Sequence, residues 1–269
     1  MRRDVSPRLD LRPINRALET FGRRSLDALL PEALQSERFA DWTPKVDAPT
    51  LAIGRGAWEQ MTLNEYRSQV GFTDLLHAMT RLGLSRDSLQ TMERLTRDEV
   101  VHVELCRRMV VGLGGSDVIP GEPSWVGLDT SLEPLDQVVE MVTTSLCIGE
   151  MLSCALLGAA AKASTDPVAK AVLTRMTADE SIHGQSGFHF LTSLLPAVTK
   201  RKRRWLEKRA TEAGVQAFGI CLEPYDDVTH PFGALPYSKL EPIMRATWKR
   251  SIAPGFVKLG LSVREPGRS

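Results

Sequence analysis

Residues 141–161 form the most apolar stretch of the chain, and Glu150 near its middle is the only charged residue in it. A helix of this composition has to be covered on most sides by other elements. Thr143, Thr144 and Ser145 make the stretch more polar than a membrane span, so we expect a buried bundle helix. A buried, ionised carboxylate is costly unless a cation, a buried arginine or water compensates it. A metal ion is the simplest compensation for Glu150.

Four long segments of the chain show apolar residues at helical spacing. We expect helices over approximately residues 58–82, 86–113, 135–163 and 167–195. Leu84-Ser85 forms a short turn within the first pair, and Thr165-Asp166-Pro167 does so within the second. The glycines and prolines between Gly112 and Pro134 exclude a helix, which leaves a long crossover between the pairs. This order of loops is typical of a ferritin-like four-helix bundle.

Additional helices are predicted on both sides of this bundle. Residues 14–35 have helical spacing and precede an extended connection over 42–50, which contains prolines. After Pro196 we expect a basic helix from Lys200 to about Gln216, an irregular segment through Pro236 and a final helix over 238–259; no strong strand pattern is present. The predicted organisation is an N-terminal helical appendage (1–57), the four-helix bundle (58–196) and a C-terminal helical extension packed on the bundle (197–269).

The charge of the chain argues against nucleic-acid and membrane partners. Its 34 basic and 33 acidic residues nearly cancel over 269 residues, so the large positive field of a nucleic-acid-binding protein is missing. The basic run KRKRRWLEKR at 200–209 is interpreted as a solvated helix face. We therefore expect small or neutral partners.

The cysteines and the first residues indicate a reducing compartment. Four cysteines occur without a Cys-x-x-Cys pair, which favours reduced thiols over disulfides or a zinc site. They are Cys106, Cys147, Cys154 and Cys221. The opening MRRDVSPRLDLRP has no apolar run after its basic residues, which argues against a secretory signal or a transit peptide. The expected location is the cytoplasm.

Two Glu-x-x-His pairs, Glu99/His102 and Glu180/His183, are the only ones in the sequence, and each falls inside a predicted long helix. At this spacing both side chains lie on one face of the helix. Two such pairs, with one glutamate from each of two other helices, form the ligand set of di-iron and di-manganese sites in helix bundles. The sequence therefore predicts a two-metal site if the other two helices each supply a glutamate.

The symmetry of antiparallel helix pairs identifies these two glutamates. Glu150 and Glu180 lie symmetrically about residue 165, within one predicted turn, and Glu65 and Glu99 lie symmetrically about residue 82, next to the other. Glu59 would place the symmetry point inside a helix, although a surface position for Glu65 remains the alternative. The predicted catalytic and metal-binding residues are Glu65, Glu99, His102, Glu150, Glu180 and His183.

Asp98 and Asp179 immediately precede the two paired glutamates. A metal-bound histidine usually donates its other ring N–H to an outer acceptor. We therefore expect a crossed arrangement, in which Asp98 orients His183 and Asp179 orients His102. The alternative is that both aspartates lie exposed on the helix surface.

Other candidate donors are assigned less direct roles. Cys147 and Cys154 flank Glu150 at helical spacing, and they either line a pocket beside the metals or fill the apolar core. The same alternatives apply to Cys106. The remaining histidines are expected away from the site: His77, His189 and His230.

These motifs resemble those of the ferritin-like di-iron carboxylate superfamily over roughly residues 58–196. The resemblance is carried by Glu65, Asp98-Glu99-Val-Val-His102, Glu150 and Asp179-Glu180-Ser-Ile-His183. The stretches NEYRSQVGFTDLLHAMTRLG, RDEVVHVELC and GLGG are similar to a group of bacterial ferritin-like domain proteins of unspecified activity. The resemblance implies an all-α, ferritin-like four-helix bundle with a long crossover between helices 2 and 3. It also implies two iron ions, with manganese as the alternative.

The leading hypothesis for function is an O₂-dependent di-iron oxidase or oxygenase that acts on a small organic substrate, with an electron donor if it is an oxygenase. The terminal helices motivate it, because they could close over a substrate cavity; they could equally form a homodimer interface. The alternatives are a ferritin-type ferroxidase or metal store, a manganese catalase or rubrerythrin-like peroxidase, and a bundle that keeps metals for structure alone.

Overall fold

The chain is mostly helical in a computed structural model, which describes residues 7–121, 127–220 and 230–267. The α-helices are α1 (Arg16–Asp27), α2 (Ser36–Ala40), α3 (Ala48–Arg81), α4 (Arg86–Gly112), α5 (Pro134–Met141), α6 (Met151–Ala163), α7 (Pro167–Leu194), α8 (Lys200–Ile220), α9 (Tyr237–Thr247) and α10 (Ala253–Lys258). Two turns of 3₁₀-helix (Glu32–Leu34 and Leu195–Ala197) and two π-helical stretches (Val142–Glu150 and Trp248–Ile252) connect some of them. The predicted all-α class agrees with this architecture.

One short strand pair accompanies the helices. β1 (Arg8–Asp10) pairs antiparallel with β2 (Val118–Pro120) and links the N-terminal segment to the crossover. The sequence indicated no strand here because each strand is too short to show an alternating pattern. Part of the predicted crossover, with Pro123, and part of the predicted irregular segment, with Cys221, lie outside the described residues.

The helix α3 begins at Ala48, so the predicted start near Trp58 was wrong. Asp47 caps the first turn by accepting a backbone N–H, and Pro49 lies in that turn, where the missing N–H of proline carries no penalty. The extended connection before α3 is correspondingly shorter than predicted. Residue 57, the predicted domain boundary, lies inside this helix.

Four long helical segments pack as two antiparallel pairs. Residue numbers fall in one helix as they rise in its partner: Phe72 contacts Thr96 and Glu65 contacts His102 in the first pair, and Cys154 contacts Thr177 and Glu150 contacts His183 in the second. The turns within the pairs are short, as predicted, and Gly83 adopts a positive φ of 65° in the first. Since α4 also packs against α7, all four segments surround a common centre.

The third of these segments runs from Pro134 to Ala163 as α5, the first π-helical stretch and α6. It is long and apolar enough to cross a membrane, but half of its most apolar window is buried inside the fold. The π-helical stretch and α6 pack mainly against α7. Glu150 ends the π-helical stretch and is itself buried.

Two apolar clusters lie at opposite ends of these helices. One contains Phe72 and joins the long helices to the C-terminal extension through Trp248, and the other contains Trp58 and extends to Leu34 and Phe39 of the N-terminal segment. Complete burial of a leucine or aromatic side chain contributes about 1.5–3 kcal/mol. Both terminal segments are therefore integrated into the core of the protein.

Acidic residues of α5 partly neutralise the basic helix α8. Lys202 Nζ lies 2.5 Å from Asp136 Oδ2, and Arg209 forms an ion pair with Glu140. Arg203 donates hydrogen bonds to backbone carbonyls at the end of α7 and just beyond it. Three basic residues of the run are thus held by contacts within the fold.

Candidate metal centre

Six buried side chains from the four long segments meet at the common centre, and they are the six predicted ligands. Their possible ligand atoms form two groups of four, each within 4.8 Å: Glu65, Glu99, His102 and Glu180 in one, and Glu99, Glu150, Glu180 and His183 in the other. Glu99 and Glu180 belong to both groups. The cluster thus has the form of two adjacent sites that share two carboxylates.

The antiparallel pairing explains why each single glutamate meets a particular histidine. Glu65 Oε2 lies 3.3 Å from His102 Nδ1 across the first helix pair, and Glu150 Oε2 lies 3.2 Å from His183 Nδ1 across the second. The i, i+3 spacing within α4 and α7 then brings the paired glutamates to the same face. The two halves of the cluster therefore have the same composition.

Both imidazole rings direct Nδ1 into the cluster and Nε2 towards an aspartate. His102 Nε2 lies 3.2 Å from Asp179 Oδ2, and His183 Nε2 lies 3.5 Å from Asp98 Oδ2. Both aspartates are buried rather than exposed. This geometry is the crossed arrangement derived from the sequence. A proton on Nε2, facing the aspartate, leaves Nδ1 free to donate a lone pair to a cation.

Several atoms of the cluster are buried without a hydrogen-bond partner. Within the described residues, these include both carboxylate oxygens of Glu99, Oε2 of Glu180 and Nδ1 of His102. A buried polar atom without a partner costs about 1–3 kcal/mol. No described ion pair joins an arginine or lysine to any of the four glutamates, so a buried arginine does not compensate them here. The residues present therefore fit metal ions as the missing partners.

The titration properties of the cluster agree with this interpretation. Burial raises the pKa of Glu99 to about 8, against the opposing effect of His183. Burial, together with the nearby Glu150 carboxylate, holds the pKa of Glu180 well above its usual value. Burial alone would lower the pKa of His102, but the surrounding carboxylates raise it well above its ordinary range. Without metal, the cluster thus retains protons where cations would otherwise balance its charge.

Two arginines that were not predicted from the sequence contact the outer aspartates. Arg175 Nε donates to Asp179 Oδ2 at 2.6 Å, and Arg94 Nε lies 3.5 Å from Asp98 Oδ2. Both arginines belong to a shared pattern, Arg-x-Thr-x-Asp-Glu-x-x-His, at residues 94–102 and 175–183. Alignment of the two Glu-x-x-His segments with each other would have found them.

The other candidate donors lie outside the two groups of four. Cys147 is completely buried in the apolar core, and Cys154 is half-buried with Sγ 3.7 Å from a backbone carbonyl. Cys106 is also completely buried, and burial together with nearby carboxylates raises the pKa of its thiol well above the ordinary value. His77 and His189 are exposed, in agreement with their predicted exclusion from the site, whereas His230 is buried elsewhere.

Comparison with known proteins does not assign the chain to a family. No protein-family model, no curated protein and no solved structure matches it. What the geometry establishes is a mostly helical protein whose centre contains a buried cluster of glutamates and histidines that could hold metal ions.

Proposed function

We propose that this chain is a ferritin-like di-iron carboxylate protein that uses O₂ to oxidise a small organic substrate. The observation that carries the proposal is the pair of overlapping four-residue groups that share Glu99 and Glu180. Two antiparallel helix pairs joined by a long crossover also support it, because this is the connectivity of ferritin-like bundles. The cysteines, which lack a Cys-x-x-Cys pair and are expected to be reduced thiols, support a cytoplasmic location.

Each half of the cluster would hold one metal ion. Glu65 and His102 would bind one ion, Glu150 and His183 would bind the other, and Glu99 and Glu180 would be shared. Four carboxylates balance the charge of two divalent cations, which accounts for their burial. Carboxylate and imidazole donors suit iron, with manganese as the alternative.

Two redox-active ions held by these residues would supply two-electron chemistry towards O₂. The chain itself contributes the environment for this reaction. Asp179 lies within hydrogen-bond distance of His102 Nε2, Asp98 Oδ2 lies 3.5 Å from His183 Nε2, and the buried Phe72 lies against His183 with ring centroids 5.9 Å apart. These apolar surroundings exclude bulk water, which protects a reactive site and favours a small substrate. Completion of an oxygenase cycle would require an external electron donor.

Metal analysis together with O₂ consumption tests the proposal. After expression in iron-supplemented medium, we expect about two iron ions per chain by elemental analysis and O₂ uptake by the reduced protein. Candidate small organic substrates should increase that uptake. Protein without bound metal would contradict the proposal, and bound manganese with rapid O₂ release from peroxide would indicate a catalase instead.

A further inference from the structure

The two copies of the Arg-x-Thr-x-Asp-Glu-x-x-His pattern place an arginine four residues before each outer aspartate. At this spacing an arginine and an aspartate lie on the same side of a helix. Arg175 precedes Asp179 on α7, and Arg94 precedes Asp98 on α4. The pattern alone predicts equal roles for the two arginines, but the structure gives them different surroundings.

Arg175 contacts both outer aspartates. Its Nε donates to Asp179 Oδ2 at 2.6 Å, and this same oxygen lies 3.2 Å from His102 Nε2. Its Nη2 lies 4.0 Å from Asp98 Oδ1, and its Nη1 donates to the backbone carbonyl of Leu29 at 3.3 Å. One guanidinium group thus connects Asp179, Asp98 and the N-terminal segment.

Arg94 is more exposed than Arg175 and lies farther from its aspartate. Its side chain is 48% exposed, compared with 23% for Arg175, and its Nε lies 3.5 Å from Asp98 Oδ2. Within the described residues, Asp98 Oδ2 and His183 Nε2 have no hydrogen-bond partner of good geometry. Solvent screening and side-chain mobility weaken a pair as exposed as this one.

We propose that Arg175 is a positioning residue of the metal centre, which fixes Asp179 so that the ring of His102 keeps Nδ1 directed at the metal. The role rests on the proposed two-metal function. A planar guanidinium suits it because its fixed N–H directions can hold a carboxylate in one orientation while reaching a second. Since Arg175 lies 2.6 Å from Asp179 but 4.0 Å from Asp98, its loss should affect His102 more than His183.

Zn²⁺ titration of matched variants tests this role. We expect Arg175→Gln to lower the affinity for one of two Zn²⁺ ions by about 10- to 100-fold, as for other outer partners of metal ligands. Arg94→Gln, the matched control, should change either affinity by less than about fivefold. Calorimetry of the metal-depleted full-length chain measures both constants.

NMR of isotope-labelled histidine provides a readout that a purely structural role would not affect. In the zinc-loaded protein, we expect the Nε2–H signal of His102 to be protected from solvent exchange, and Arg175→Gln to remove that protection. The signal of His183 is the internal control and should change less. Equal changes at both histidines, or at neither, would overturn the proposed role.

Different results would overturn the proposed function and the proposed role of Arg175. A wild-type protein that does not bind two Zn²⁺ ions would overturn the proposed function and the role of Arg175 with it. Two ions in the wild type, with unchanged affinities in Arg175→Gln, would overturn only the role of Arg175. If that variant does not fold, Arg175→Lys replaces it: lysine keeps the charge but lacks the planar fork, so we expect about tenfold weaker binding of one ion, and wild-type affinity would overturn the role.

Discussion

The helices α4 and α7 carry the same Arg-x-Thr-x-Asp-Glu-x-x-His pattern, yet the protein surrounds the two copies differently. On α7, the N-terminal segment covers Arg175 through the carbonyl of Leu29, and its aspartate lies within hydrogen-bond distance of His102. On α4, Arg94 is half-exposed and Asp98 lies farther from His183. The local sequence determines which side chains share a helix face, whereas distant parts of the chain determine which contacts those side chains make.

A second difference lies just beyond the histidines. The positions of Val103 and Cys106 on α4 correspond to Gly184 and Gly187 on α7. A Cβ atom at Gly187 would lie 2.7 Å from Leu146 Cβ and 2.9 Å from the carbonyl carbon of that residue. These glycines let α7 approach the segment that carries Glu150 more closely than side chains would permit. The two helices thus present the same donors but pack against their partners differently.

The largest expected effect is on metal content, which should fall further when a shared glutamate is replaced than when an unshared one is. Glu99→Ala and Glu180→Ala each remove a donor from both groups of four, so we expect less than about one metal ion per chain. Glu65→Ala and Glu150→Ala each remove a donor from one group, and we expect about one ion to remain. Elemental analysis of each variant after identical metal loading measures the difference.

Glu93→Ala is the control for this series, because Glu93 is an exposed acid on α4 outside the cluster. Circular dichroism should show that Glu150→Ala remains helical, since its helix is otherwise apolar and well covered. Two ions per chain in Glu150→Ala would rule out the ligand assignment. Equal losses in all four variants would contradict the idea that Glu99 and Glu180 are shared.

A smaller effect is expected at the outer aspartates. Asp179→Asn should weaken Zn²⁺ binding by about 100-fold and Asp98→Asn by about tenfold, within the range known for outer partners of metal-bound histidines. The ranking follows from the contacts, because Asp179 lies closer to its histidine and also accepts from Arg175. Competition with a chromophoric chelator measures both affinities.

Asp74→Asn, which changes an exposed acid on α3, should leave both affinities unchanged. Equal losses in Asp179→Asn and Asp98→Asn would show that the two halves of the site are equivalent despite their different surroundings. If neither variant lost affinity for Zn²⁺, the two aspartates would have no role in metal binding.

Local periodicity was enough to predict most of the helices and the composition of the cluster. The six donors lie together because Glu-x-x-His spacing and hairpin symmetry depend only on helix geometry and turn position. The start of α3 was mispredicted because the proline near its beginning was interpreted as extended chain, whereas Asp47 and Pro49 form a good first turn. The strand pair β1–β2 depends on a contact between distant residues, which periodicity does not encode.

The different environments of Arg94 and Arg175 likewise could not be predicted from the sequence. Their spacing from the aspartates is identical, and they differ in what the rest of the chain offers them, such as the backbone carbonyl of Leu29 that accepts a hydrogen bond from Arg175. Similarly, the close approach at Gly187 is a contact with Leu146 in the π-helical stretch, which the residue patterns of the two segments do not predict. Tertiary contacts therefore distinguish two segments that local sequence makes alike.

The smallest expected effect concerns packing rather than ligands. Gly187→Ala should destabilise the fold by about 1–3 kcal/mol, because the added methyl group meets the backbone of the opposite segment rather than a flexible side chain. The improved helix propensity of alanine offsets up to about 1 kcal/mol of this cost. Urea unfolding of the metal-depleted protein measures the change without a contribution from bound metal.

Gly56→Ala on α3 provides the matched control, since nothing lies within 4 Å of a Cβ atom at that exposed helical position. Propensity alone should make this variant more stable by about 0.8–1 kcal/mol, so the two substitutions are expected to have opposite signs. A stabilised Gly187→Ala would mean that α7 can move away from the opposite segment at little cost. The close approach would then be incidental. The helices α7 and α4 would differ only in the contacts of Arg175 and Arg94.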